Sequence, residues 1–268
     1  MPIKVTEQFK LAWGKETPSF DDLMALDGEM YRQVARRRTF KFTLKNKDYF
    51  AKIHKGVGWG EIAKNLLQGR LPVLGAVNEF DAIKALTALG IKTMTLVAYG
   101  QRGDNLAELE SFVITESLEP ALSLEDLSMD WASNKPNLRL KRALIKCVAT
   151  ITRQLHDNGI NHRDLYICHF LLKESDLESV QQVEELPLYL IDLHRVQMRK
   201  EVPERWRVKD LAALYFSSMG IGFTKRDFYR FIQVYSDKSL SAELKSNESR
   251  WAKVFAKGQK LNLKPIKD

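Results

Sequence analysis

The period of the apolar residues changes along this chain, and that change limits what it can fold into more than any other feature. Between residues 31 and 54 apolar side chains recur at about every second position, whereas Leu144, Ile145, Val148, Ile151, Thr152 and Leu155 recur at helical spacing. Tyr31 to Arg37, Thr39 to Leu44 and Asp48 to His54 read as three consecutive strands of an antiparallel meander, with Lys45-Asn46-Lys47 as the tight turn between the last two. Two helices follow, Trp59 to Gln68 and Val77 to Leu89; the second carries Phe80, Ile83, Ala85, Leu86 and Leu89 and stops at Gly90. Met94 to Gly100 and Ser111 to Glu116 then complete a five-stranded sheet. Beyond them the chain turns helical. Ser123-Leu124-Glu125-Asp126 has the spacing of a capping box, and the long helix through Leu144 ends at Asn158-Gly159. A polar insertion, Lys173 to Leu186, precedes a strand from Leu188 to Leu193 that carries Asp192, and the chain from Trp206 onward is mostly helix.

At 268 residues and 44% apolar content the chain can bury a real core. It has no internal repeat, low-complexity tract or long Gly/Ser linker, so the expectation is an α+β architecture of two lobes sharing a cleft. Residues 1–117 form a small sheet-bearing N-lobe with its helices, and residues 118–268 a larger, mainly helical C-lobe. The longest uncharged apolar stretches, such as Leu188 to Ile191, are strand-sized and far short of the roughly 20 residues that span a bilayer. The opening Met1-Pro2-Ile3-Lys4-Val5 lacks the apolar core of a secretory signal, so the protein is expected to stay in the cytosol, where ATP is available. Cys147 and Cys168 alone make no disulfide framework, and Cys147 reads as a packing residue. A net charge of +8 and a pI near 9.3 favour an anionic partner: nucleotide, acidic membrane surface, phosphorylated glycolipid, nucleic acid or acidic protein. The run Arg36-Arg37-Arg38 reads equally well as a solvated strand edge and as a phosphate contact.

Phosphoryl transfer asks little covalent chemistry of a protein: a cation for the nucleotide phosphates, a carboxylate for Mg²⁺ and a base at the acceptor hydroxyl. The chain supplies candidates in the order Lys52, Glu79, Asp164, Asp192. Lys52 lies on the third strand between apolar residues, Glu79 on a following helix, Asp164 after the long helix, and Asp192 near a strand end. This is the order of parts of the kinase fold. Taken singly each has a plainer reading: a strand lysine usually faces solvent, and a helix glutamate is usually a surface charge. The two aspartates resist that reading, because each is embedded in apolar sequence where an uncompensated carboxylate is costly. A zinc cluster from His156, His162, Cys168, His169 and His194 is disfavoured by their spacing, and His156 suits capping or packing at a helix end.

Four strings carry a wider resemblance: Tyr49-Phe50-Ala51-Lys52-Ile53-His54-Lys55-Gly56, the run Asn161-His162-Arg163-Asp164 through His169-Phe170-Leu171-Leu172, Ile191-Asp192-Leu193-His194-Arg195, and Leu214-Tyr215-Phe216-Ser217-Ser218-Met219. Over nearly its whole length the chain resembles the bacterial lipopolysaccharide core heptose(I) kinases, members of the protein-kinase-like superfamily. The resemblance implies a bilobal kinase-like fold, ATP and Mg²⁺ as cofactors, and transfer of the γ-phosphate to a hydroxyl of the first inner-core heptose. It also implies the cytoplasmic face of the inner membrane, with peripheral contact to its anionic surface and no nucleic-acid partner. Lys52 would bind the α/β-phosphates and Glu79 would orient it; Asp164 would accept the hydroxyl proton and Asp192 would hold Mg²⁺. In Thr115-Glu116-Ser117-Leu118 the Glu116 carbonyl and Leu118 amide would meet the adenine edge, and Asp210 would hydrogen-bond the catalytic-loop backbone. His169 stands where most kinases place a second, metal-binding Asn, and imidazole suits hard Mg²⁺ less well than an amide oxygen. His194 replaces the Gly of the usual Asp-Phe-Gly, and the phosphate-covering loop near Asp27-Gly28-Glu29 has a single glycine. A short segment between Asp192 and Trp206 leaves little room for a docked peptide, which favours a glycan acceptor. Two other readings stay open: a protein or aminoglycoside-type kinase, and a degenerate kinase fold that binds an acidic partner.

Overall fold

The computed structural model describes residues 3–14, 17–34, 36–67, 75–177 and 186–263. The chain divides into two compact units, one of Met1–Ala85, Met94–Leu118 and Leu193–Arg195, the other of Leu86–Thr93, Glu119–Asp192 and Val196–Asp268. Gln68, the expected end of the first helix, and positions 178–185 of the polar insertion lie outside the described residues, as does Ala35.

The first unit is built on a six-stranded antiparallel sheet of β1 (Lys4–Val5), β2 (Glu29–Val34), β3 (Arg37–Leu44), β4 (Lys47–Lys55), β5 (Leu96–Arg102) and β6 (Glu110–Glu116) in the order β1-β5-β6-β4-β3-β2. The sixth strand is the addition to the expected five: Lys4 and Val5 pair with Tyr99 and Ala98 and cover the edge of β5. Two residues are too few to show a period, which is why the sequence hid it. The first strand of the meander ends at Val34, and Arg37 and Arg38 open the next one. Arg38 also donates to the Leu26 carbonyl at 3.3 Å, beyond the end of a short helix. The β3–β4 connection is a two-residue turn in which Lys45 and Asn46 both take left-handed φ, 45° and 63°, as the twist of a tight hairpin requires. Helices α1 (Glu7–Trp13) and α2 (Phe20–Met24) are capped by Thr6 and Ser19, and the latter forms a full capping box with Asp22. Phe9 and Leu23 carry them onto the sheet, where Phe40, Tyr49, Ala51, Ile53, Phe112 and Ile114 form the core. Helices α3 (Gly58–Leu67) and α4 (Val77–Ala88) connect β4 to β5, and the last turn of α4 belongs to the second unit.

The second unit is mainly helical. It comprises β7 (Ala121–Ser123), α5 (Leu124–Ser128), α6 (Leu138–Asp157), β8 (Ile160–Asn161), β9 (Phe170–Lys173), α7 (Glu174–Leu177), β10 (Tyr189–Leu190), β11 (Gln197–Met198), α8 (Glu204–Ser217), α9 (Lys225–Ser236), α10 (Leu240–Ser246) and α11 (Glu248–Asn262). Ser123 caps α5 through the Asp126 amide at 3.0 Å, but its hydroxyl also donates to the Asp126 carboxylate at 2.7 Å. Helix α6 is capped by Asn137 and stops at Gly159, whose φ is 73°. A Cβ at Gly159 would lie 1.8 Å from the Arg199 carbonyl oxygen, so the close approach of the Arg199 backbone demands glycine there. Ala149, Val208, Leu211, Ala212, Ile232, Tyr235, Trp251 and Val254 form a buried cluster among α6, α8, α9 and α11. Beside it lies an apolar cavity of about 80 Å³, lined by Trp131, Leu144, Ile145, Val148, Phe228 and Phe255 among others. The expected strand from Leu188 to Leu193 contracts to Tyr189–Leu190. Asp192 lies past it, with φ 60°, at a turn that no strand could accommodate.

Candidate active site

Along β4 the two-residue period sends Tyr49, Ala51 and Ile53 into the apolar core of the sheet unit and Lys52 to the opposite face. There Glu79 of α4 takes the Lys52 ammonium at 2.6 Å. The Glu79 side chain is only 2% exposed and Lys52 17%, which rules out the surface reading of both. A buried ion pair is weak evidence for stability, but it fixes where an ammonium points. Neighbouring His54 is buried, and its pKa falls from 6.5 to about 3, first through burial and then through the positive charges of Arg37 and Lys52. Glu116 ends β6 opposite Tyr49; its side chain binds the Lys47 ammonium and its N–H donates to the Thr95 carbonyl at 2.9 Å. The next N–H, of Ser117, donates to Asp48 at 2.9 Å, and Leu118 is buried. Gly28 has a packing reason for being glycine: a Cβ there would sit 2.0 Å from the Lys41 carbonyl of β3.

In the helical unit a loop, residues 161–169, is held by one carboxylate. Asp210 on α8 is fully buried; its Oδ2 accepts the His162 N–H at 2.7 Å and its Oδ1 the Arg163 N–H at 2.8 Å. His156, packed against the Tyr235 hydroxyl at 2.9 Å, approaches the same carboxylate at 3.4 Å, and burial holds its pKa below the usual histidine range. These bonds keep Arg163 at φ 76°, a strained position that places Asp164 one residue further on. Sequence reading alone did not find Lys209. One α8 residue before Asp210, it donates to the Arg163 carbonyl and brings its Nζ to 3.5 Å from Asp164 Oδ1. No local signal marks it, because the partners are about 45 residues apart in the chain.

Asp192 and Asp164 are tied together through histidines. His162 Nε2 bonds the Ile191 carbonyl at 3.0 Å, and His169 Nδ1 donates to the Asp164 carbonyl at 2.7 Å. With Nδ1 so used, His169 Nε2 faces Asp192 Oδ2 at 3.5 Å. In that tautomer Nε2 and Oδ2 are two electron-pair donors turned toward each other, a pair that a cation can share. Among the described residues no group of three or more His, Cys, Asp or Glu side chains could hold a metal alone. Asp192 Oδ2 suits hard Mg²⁺, which draws most of its ligands from phosphates and water, and the His169 nitrogen suits it less well. The Cys168 thiol is pushed up to about 11 by burial and the nearby Glu125 charge, so it is no nucleophile near neutral pH.

An antiparallel sheet whose lysine is held by a buried helix glutamate on the face away from the sheet's core, and a helical unit whose buried aspartate clamps an Asn-His-Arg-Asp loop, define a protein-kinase-like phosphotransferase. Comparison with known proteins narrows the class. The model of the lipopolysaccharide kinase (Kdo/WaaP) family matches residues 21–235. The chain is 47% identical over 265 residues to the lipopolysaccharide core heptose(I) kinase WaaP of Escherichia coli, covering 99% of this chain and 98% of that one. It is 46% identical over 261 residues to the protein of the same description from Pseudomonas aeruginosa PAO1, covering 97% and 96%. A solved structure described as WaaP in complex with acyl carrier protein superposes with a TM-score of 0.82 at 41% identity, covering 97% of this chain and 99% of the other. The chain belongs to the lipopolysaccharide kinase (Kdo/WaaP) family. The acyl carrier protein of that complex is a kind of partner that the sequence reading had not named.

Proposed function

We propose that the protein transfers the γ-phosphate of ATP to a hydroxyl of the first heptose of the lipopolysaccharide inner core. The observation that carries this reading is the Asp210-clamped loop, which holds the Asp164 backbone carbonyl against His169, itself facing Asp192, while Lys209 stands at the Asp164 carboxylate. Asp164 accepts the proton of the acceptor hydroxyl as its oxygen attacks the γ-phosphorus and ADP departs. Lys52, aimed by Glu79, binds the α/β-phosphates, and the backbone of Glu116 and Leu118 meets the adenine edge. Asp192 and His169 would hold Mg²⁺, which supplies neutralisation of phosphate charge when bound. Lys209 steadies the Arg163 carbonyl and keeps a cation beside the base. The test is transfer of labelled phosphate from ATP, in the presence of Mg²⁺, to heptose-containing core glycolipid. Efficient phosphorylation of peptides or aminoglycosides, with none of the glycolipid, overturns the acceptor.

Among the described residues no helix is long and apolar enough to cross a membrane, and the +8 charge suits peripheral binding to the anionic cytoplasmic face of the inner membrane. Flotation with anionic but not neutral vesicles tests that placement. The apolar cavity between α6, α8, α9 and α11 favours a second association, with an acyl carrier protein whose acyl chain fills the space. Co-expression with acyl carrier protein should raise the thermal midpoint, and Val148→Trp, which fills the cavity, should abolish that gain.

A further inference from the structure

Four cationic side chains converge on one indole next to the Asp164 loop. The centroid of the Trp206 ring, in the first turn of α8, lies 5.2 Å from the guanidinium carbons of Arg163 and Arg205, 5.8 Å from Lys209 Nζ and 6.0 Å from the Arg199 guanidinium carbon. Three stretches of chain supply them: the catalytic loop, the end of β11 and α8. Gathering like charges this closely is unfavourable, and exposed cation–π contacts return only part of that cost. Lys209 touches Asp164 at 3.5 Å, whereas among the described residues Arg199 bonds neutral amides, Asn161 Oδ1 at 2.9 Å and Gln197 Oε1 at 2.7 Å. Among the described residues neither Arg199 nor Arg205 has a carboxylate within ion-pair range, and both are exposed, as is Lys200. Guanidinium N–H groups beyond those the fold already engages can be offered to an oxyanion.

We infer that the Trp206 cluster is a subsite for an anionic group of the acceptor, a carboxylate or phosphate of the glycolipid, which it holds while the neighbouring hydroxyl meets Asp164. The inference rests on the reading of Asp164 as base and names what grips the acceptor at that site. In the proposed reaction Lys52 serves the nucleotide phosphates, so a separate cluster of cations beside Asp164 implies a second anion. Lys209 is the link, since it contacts both the base and the ring.

The decisive variants are Arg199→Glu with Arg205→Glu, and the milder Arg205→Ala should the double variant fold poorly. Lys257→Glu, an exposed lysine on α11, is the charge-matched control. Both site variants should raise the KM for acidic core glycolipid, by about tenfold or more in the double variant, while the KM for ATP stays within about twofold and the control matches wild type. An unchanged glycolipid KM, an equal rise in the control, or a rise in the KM for ATP instead would overturn the subsite. Acceptor with its phosphates removed separates the sources: if it is insensitive to Arg205→Ala the anion was phosphate, and if it stays sensitive the anion is a carboxylate. Direct binding of the glycolipid, measured without ATP, keeps this inference apart from the proposed reaction. If wild type transfers nothing to the glycolipid, the reaction fails, but weaker binding in the variants still supports the subsite. Equal binding in both, or no binding to wild type, refutes it.

Discussion

The two units handle buried charge in opposite ways. In the sheet unit a cation and an anion neutralise each other directly, Lys52 against Glu79 at 2.6 Å. In the helical unit Asp210 sits fully buried and is met chiefly by backbone N–H groups at 2.7 and 2.8 Å. The first arrangement points a side chain; the second fixes a backbone. The proposed roles suit this contrast: an ammonium meant for phosphate oxygens needs only an aimed tip, whereas a base meant for a hydroxyl at hydrogen-bond distance needs its whole loop immobile, strain at Arg163 included.

The sharpest break of that contrast is Asp164→Ala. It should lower kcat for phosphate transfer by roughly 10² to 10⁴ while leaving the circular dichroism spectrum unchanged; near-normal turnover would remove Asp164 from the role of base. Next comes Asp210→Ala, which strips two buried N–H groups of their acceptor and should cost about 3 kcal/mol of stability in urea titration. A loss below about 0.5 kcal/mol would mean that the loop does not depend on its anchor. Smaller is the coupling of Lys52 and Glu79: a double-mutant cycle with Lys52→Met and Glu79→Gln, read by calorimetry of nucleotide binding, should give about 1–2 kcal/mol, and additive effects would refute the aiming role. The mildest concerns acid. His54, with a folded pKa of about 3, and His156, held low by burial, stay neutral in the fold, but take a proton on unfolding once the pH drops below 6.5. The unfolded chain then binds more protons, so stability falls as the pH falls from 6.5 toward 3. Between pH 7.5 and 6 the loss from His54 should be about 1 kcal/mol, and His156 adds to it in the same direction. His54→Leu should flatten that slope by one proton; an unchanged slope would show that His54 is not buried neutral.

Much of the scaffold was legible in the residues because its signals are local. The meander, the Lys45-Asn46 turn and the stop at Asn158-Gly159 each depend on neighbours within a few positions. The β1 edge strand and the shortened β10 were not, since two-residue strands carry no period. The sequence also ordered Lys52, Glu79, Asp164 and Asp192, but could not separate a pointed lysine from a solvated one.

What the sequence determined by itself is the class of chemistry, the sheet-then-helix order and the family resemblance, all carried by residue identity and short-range spacing. Only the tertiary structure decided that Glu79 is buried, that Gly28 is glycine for the sake of Lys41, and that Lys209 stands beside Asp164. It alone gathered Arg163, Arg199, Arg205 and Lys209 on Trp206. The reason is physical: burial, and the proximity of Lys52 to Glu79 or of Lys209 to Asp164, are properties of surfaces brought together across tens of residues, and no short window along the chain contains both partners.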